Sequence, residues 1–146
     1  MTVLVVDDPP LLLDTHILVR LTDGDTRLGI HAREAIQQAY SEDRALISAI
    51  TPWEIALLVS KGRLKLDQDV MDWVRFALSV PGVRLASLTP EISVASTRFP
   101  WEMHPDPADR ILVATARNLG ATLVTADEVL LEFSKQGHFR ALDARD

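Results

Sequence analysis

Five carboxylates are set apart from the other acidic residues of this sequence by their neighbours. Asp14 closes the apolar run Leu11–Leu13, and Glu54 stands one turn into the apolar segment TPWEIALLVS. Asp106 and Asp109 open the run HPDPADRILVATARNLG, and Asp127 follows TLVT. Most have an ordinary reading: Asp14, Asp106 and Asp127 could cap helices, and Asp109 could complete a capping box. Glu54 resists that reading. On a helix it shares a face with Ile50, Leu57 and Leu58, and no lysine or arginine lies within a turn of it. A Glu in such a place needs a cation, a hydrogen-bond partner or a raised pKa. Asp109 likewise shares a helical face with Leu112, Val113 and Ala116. Acids at strand ends and on apolar helix faces, with no histidine cluster beside them, form a hard oxygen donor set suited to Mg²⁺ or Mn²⁺. Such ions grip a phosphodiester, ionise an attacking water and stabilise the leaving oxygen. The residue types therefore point to metal-dependent phosphoryl chemistry.

The elements needed to position these acids can be read along the chain. Leu11–Leu13 is a short strand running into a helix from His16 to Leu21, and a second helix follows the Gly24–Asp25 turn as far as Tyr40. Ala45–Ser48 is a strand, and Thr51–Val59 an apolar helix expected to open on a Thr51 cap with Pro52 in its first turn. Asp67–Leu78 is amphipathic, with Val70, Trp73, Val74 and Ala77 on one face. Val83–Ala86 is a strand, Thr89–Pro90–Glu91 starts a helix to Arg98, and Asp106 starts a nearly all-apolar helix stopped by Gly120. A strand at Thr122–Val124, a helix from Asp127 to Ser134 and a strand near Phe139–Leu142 complete the pattern. Short apolar strands alternating with helices predict an α/β fold, a parallel sheet covered on both faces. In such sheets ligands bind beyond the carboxyl ends of the strands, where Asp14 and Asp127 fall. Val3–Val6 is a further β-branched run, but the four residues between it and Leu11 are too few for a parallel crossover. It is therefore expected to be peripheral.

Composition narrows the classes. A chain of 146 residues with 47% apolar and 25% charged residues suits one globular domain. No apolar run approaches the roughly 20 residues needed to span a bilayer. The N-terminus has no basic segment before its apolar one, and cysteine is absent, so a cytoplasmic protein is expected, without disulfides or thiolate chemistry. A net charge of −6 argues against broad electrostatic attraction to nucleic acid. It is compatible with a nuclease whose acidic cleft is neutralised by metal ions, with arginines on its rim. Twelve of the fifteen basic residues are arginine, whose planar fork suits phosphate.

In order and spacing, LLLDTHILVR (11–20), SAITPWEIALLVSKGRL (48–64), HPDPADRILVATARNLG (104–120) and TLVTAD (122–127) resemble the PIN-domain family, and within it the VapC-type toxins of toxin–antitoxin pairs. The resemblance spans Leu11 to Asp143. It implies a PIN-like three-layer α/β/α sandwich around a short central parallel sheet, with 11–146 as the PIN domain and 1–10 as an N-terminal extension. It further implies a Mg²⁺-dependent endoribonuclease, Mn²⁺ substituting, that cleaves RNA with a metal-activated water. Asp14, Glu54 and Asp109 fall on the family's catalytic, metal-holding acids, Asp127 on the more variable fourth, and Asp106 on an additional acid of the HxDP subset. A homodimer and a cognate antitoxin lying across the active groove are implied partners, with no membrane association. Arg110, as a rim cation, and Thr125, which could orient Asp127 or a water, are candidate substrate-binding residues. Arg117 and His16 are weaker candidates for phosphate, and Trp53 and Trp101 for base stacking, a core position being the preferred reading of both tryptophans. Two other readings compete. A haloacid-dehalogenase-like phosphohydrolase would need a second Asp two residues after Asp14, where His16 stands. A non-catalytic binding module on the same fold would not need all the acids. The opening VLVVDDPP resembles a response-regulator receiver domain over eight residues only, and the later Asp and Lys of that family are missing.

Overall fold

The computed structural model describes residues 8–146; the Val3–Val6 run lies outside the described residues. The chain order is β1 (Leu11–Leu13), α1 (Thr15–Asp23), α2 (Ile30–Ser41), β2 (Ala45–Ser48), α3 (Ile50–Ser60), α4 (Val70–Ser79) and β3 (Val83–Ala86). It continues through α5 (Pro90–Ala95), α6 (Pro107–Leu119), β4 (Thr122–Thr125), α7 (Glu128–Lys135) and β5 (Arg140–Asp143). The five strands form one sheet of order β3-β2-β1-β4-β5, and every pairing is parallel.

Alternation along β1 builds the two cores. Leu11 and Leu13 join Ile17, Ile36, Ile47, Ile55 and Trp73 on one face, under α1 to α4. Leu12 points the other way, to Leu112, Val113, Leu123 and Leu130 of α6, β4 and α7. The central strands β1 and β2 are buried throughout, as a sheet covered on both faces requires. The result is the three-layer α/β/α sandwich the sequence predicts, with Trp73 in its core at 4% exposure.

Several local expectations are corrected. Helix α3 begins at Ile50, whose N–H donates to Ser48 Oγ (3.1 Å), so Thr51 does not cap it. The Thr51 hydroxyl instead meets Thr15 Oγ1 at 3.2 Å, tying α3 to α1. Helix α5 stops at Ala95 rather than Arg98, and α4 starts at Val70, where the Asp69 carboxylate accepts the Met71 N–H at 2.9 Å.

The strand order fixes where a site can form. From β1 the chain moves outward through β2 to β3, then returns to place β4 on the other side of β1. Beyond the carboxyl ends of β1 and β4 the crossovers diverge and leave a crevice. Asp14 follows β1 directly, and Asp127 lies two residues after β4.

Candidate active site

The register Leu13↔Val124 sets Asp14 beside Thr125. The Asp14 N–H donates to the Val124 carbonyl at 3.0 Å, and the Asp14 carbonyl starts α1 by accepting from the N–H groups of Ile17 and Leu18 (2.9 and 3.1 Å). Its side chain makes no cap hydrogen bond. Instead Asp14 Oδ2 accepts from the Thr125 hydroxyl at 2.7 Å, and Thr125 Oγ1 in turn accepts the Asp127 N–H at 3.1 Å. Asp14 is 5% exposed, and burial raises its pKa, with the Thr125 hydrogen bond opposing the rise.

Asp127 and Asp106 do cap helices. Asp127 Oδ1 accepts the N–H groups of Val129 and Leu130 (2.9 and 3.0 Å), and Asp106 Oδ1 accepts the Asp109 N–H at 3.1 Å. Each cap uses one carboxylate oxygen and fixes the rotamer of the other. Glu54 and Asp109 have no such role. Glu54 Oε1 is buried without a hydrogen-bond partner among the described residues. Its pKa is raised first by burial, with the Asp14 charge adding and Thr15 opposing. Asp109 is pushed up to about 8, by burial first and then by the charges of Asp14, Asp106, Asp127 and Glu54. His104 Nε2 stands 3.5 Å from Asp109 Oδ2. That separation is too long for a strong hydrogen bond, so the neighbouring like charges prevail.

All five acids line one cleft of about 310 Å³, together with His16, Ile17, Arg20 and Ala126. As the side chains stand, no three His, Asp or Glu groups among the described residues are close enough to chelate one ion. The donor chemistry nonetheless fits a divalent cation. Several carboxylates at the end of β1, in α3 and α6 and at the start of α7 face a shared space, Glu54 and Asp109 with pKa values raised by burial and then by neighbouring carboxylates, and one offers a buried oxygen with nothing to accept from. A bound cation would reverse both penalties.

Residues 11–136 match the family model of the PIN domain. The chain belongs to the PIN-domain family. A curated relative, Ribonuclease VapC22 of Mycobacterium tuberculosis (strain ATCC 25618 / H37Rv), is 32% identical over 120 residues, covering 82% of this chain and 88% of the relative. Among solved structures, the fold is similar to VapBC2 from Rickettsia felis bound to a DNA fragment from their promoter. That match has a TM-score of 0.67 at 16% identity, over 91% of this chain and 97% of the other. FitAcB from Neisseria gonorrhoeae gives a TM-score of 0.61 at 19% identity, over 92% and 97% of the two chains.

Within this PIN domain, the two residues expected to contact substrate are placed otherwise. Thr125 is fully buried at 0% exposure. Its hydroxyl is committed to Asp14 and to the Asp127 N–H, so it positions the acids and cannot reach a substrate. Arg110 does not line the acidic cleft. Its guanidinium donates to the carbonyls of His104 (2.8 Å), Met103 (2.8 Å) and Ser96 (3.2 Å), which pins the segment leading into α6. A single arginine in a loop-to-helix junction gives no sequence signal that separates these roles. His16 is exposed and lines the cleft, as does Arg20. Arg20 escaped the sequence reading, although its place one turn after His16 on the same helical face could have flagged it. Trp53 is 50% exposed rather than core, whereas Trp101 is half-buried among Phe99, Phe133 and Phe139.

Proposed function

We propose that this PIN-domain protein is a divalent-metal-dependent endoribonuclease and acts as the toxin of a toxin–antitoxin pair. The observation that carries the reading is the convergence of Asp14, Glu54 and Asp109 on one cleft at the sheet's switch point, with a Glu54 oxygen buried and unpartnered. The relative named a ribonuclease, similar over most of both chains, supports the same substrate class.

Asp14, Glu54 and Asp109 would hold Mg²⁺, for which Mn²⁺ would substitute, and the second oxygens of Asp106 and Asp127 would complete or extend that set. When bound, the ion supplies a Lewis acid for a phosphoryl oxygen and lowers the pKa of an attacking water. The protein's own part is positioning. Thr125 holds Asp14 Oδ2 in a single orientation, and the backbone N–H groups at the starts of α6 and α7 fix Asp106 and Asp127. Asp109, with its pKa near 8, keeps a proton on its carboxyl at neutral pH, and that proton must leave as the cation enters. Arg20 at the same cleft supplies positive charge for the RNA backbone, and His16 beside it offers a hydrogen-bonding ring. A cognate antitoxin covering this cleft, and a homodimer, belong to the same reading; the Klebsiella pneumoniae toxin–antitoxin complex is among the proteins of similar fold, with a TM-score of 0.54.

The test is cleavage of a total small-RNA pool by the purified protein with Mg²⁺, with EDTA, and as the Asp14→Asn variant. Discrete products that need both the metal and Asp14 are expected. Cleavage that persists in EDTA or in Asp14→Asn would refute the reading, and absence of both cleavage and Mg²⁺ binding would favour an inert binding module.

A further inference from the structure

A large depression lies away from the acids. It has a volume of about 810 Å³ and is formed where α6 ends and where β4 and β5 begin, with Arg117, Thr122, Ser134, His138 and Arg140 in its wall. A second depression of about 220 Å³ shares Arg117 with it and adds Arg98 and Phe99. No Asp or Glu lines either one. In a chain of net charge −6, that is an uneven distribution. Arg98, Arg117 and Arg140 are all exposed, and none forms an ion pair with a carboxylate among the described residues.

Aromatic surface is built into the same place. The Arg117 guanidinium lies over the Trp101 ring at 4.9 Å, and the His138 ring stacks on that ring at 4.1 Å and 12°. Arg117 also donates to the His138 carbonyl, so the guanidinium and the imidazole are held as one rigid unit. A cation in the last turn of α6 would be explained by the helix dipole alone. That account covers Arg117 but not Arg98 or Arg140, which lie outside the helix.

We propose that this arginine–aromatic surface is a second RNA-binding site, an exosite that takes a single-stranded segment of the substrate. Unpaired guanidinium groups track a phosphate backbone and offer planes on which bases stack, whereas the Trp101 ring, already covered by Arg117 and His138, holds that surface rigid. The exosite rests on the ribonuclease reading for its ligand, and α6 connects the two sites. Its first turn carries Asp109 and its last Arg117, so a strand bound at both must span roughly 12 Å along the helix axis.

The experiment measures binding of a fluorescently labelled single-stranded RNA to the Asp14→Asn protein in EDTA, across a salt series, by anisotropy. The comparison is with Asp14→Asn carrying Arg98→Gln and Arg140→Gln. These two side chains form no ion pair among the described residues, and thermal melts verify that the fold is kept. Each lost phosphate contact lowers the slope of log K against log salt by about 0.7, so the pair should lower it by about 1.4 and weaken binding roughly 25-fold at 0.1 M salt. An unchanged slope overturns the exosite, as does polyglutamate displacing the RNA as well as unlabelled RNA does, which would indicate an acidic peptide partner. Cleavage separates the two readings. Arginine-dependent binding without any cleavage by the native protein sinks the ribonuclease and keeps the exosite. Unchanged KM for a long RNA in Arg98→Gln/Arg140→Gln, with cleavage intact, does the reverse.

Discussion

Asp109→Asn should stabilise the metal-free protein and flatten its pH dependence. In the native state burial and like charges push the Asp109 carboxyl up to about 8, against 3.8 for the free side chain. Between those values the folded protein holds a proton that the unfolded chain has released. Stability therefore falls as pH rises through this window, with a slope of up to 1.36 kcal/mol per pH unit for one group. The side chain is 18% exposed, so solvent screening reduces but does not abolish the effect. From pH 5 to pH 7 in EDTA the native protein should lose about 1–3 kcal/mol through Asp109, or roughly 3–10 °C in melting temperature. Melts followed by circular dichroism at several pH values, for native and Asp109→Asn protein, isolate this contribution from those of Asp14 and Glu54. Saturating Mg²⁺ should oppose the loss, because a ligand bound only by the folded state stabilises it by mass action, and more so at high pH where it displaces fewer protons. Identical pH slopes in the two proteins, or native stability rising from pH 5 to pH 7 in EDTA, would refute the account of a carboxyl raised by burial and like charge.

Two further outcomes follow from the hydrogen bonds around the site. Thr125→Val removes the donor to Asp14 Oδ2 and the acceptor of the Asp127 N–H. It should cost about 1–3 kcal/mol in urea denaturation and weaken Mg²⁺ binding in calorimetry, since Asp14 loses the bond that orders its charged form. Arg110→Lys cannot reproduce the three carbonyl bonds of the guanidinium; a loss of about 1–3 kcal/mol in stability is expected, with the RNA salt slope unchanged because Arg110 is structural.

Much of the fold was legible along the chain. Leu11–Leu13, Ala45–Ser48, Val83–Ala86 and Thr122–Thr125 are short, apolar and separated by helix-length segments, and a parallel sheet with two covered faces is the arrangement that buries them all. The acids were legible for a related reason. A carboxylate flanked by apolar residues on a helix face, as Glu54 and Asp109 are, has no comfortable solvated position, and that conflict is local enough to see in the sequence. Helix boundaries at Thr51 and Arg98 were not. Ser48 and Thr51 both offer a hydroxyl near the start of α3, yet the N-cap position falls on Ala49 with no side-chain cap, and the Thr51 hydroxyl is turned to Thr15.

Tertiary structure alone decided which acids are free. Asp14, Asp106 and Asp127 look alike as residues at helix starts, yet Asp14 turns its carboxylate from its own helix to Thr125, 111 positions away. Parallel pairing of β1 with β4 makes that choice, because it seats Thr125 beside Asp14. The same holds for the arginines. Arg110 and Arg117 are both exposed-face residues of one helix by sequence, and their partners, three carbonyls between Ser96 and His104 and the Trp101–His138 stack, are brought to them by packing within one layer of the sandwich. Residue type states what a side chain can bind. Which partner arrives is set by contacts distant in sequence, and no local pattern encodes them.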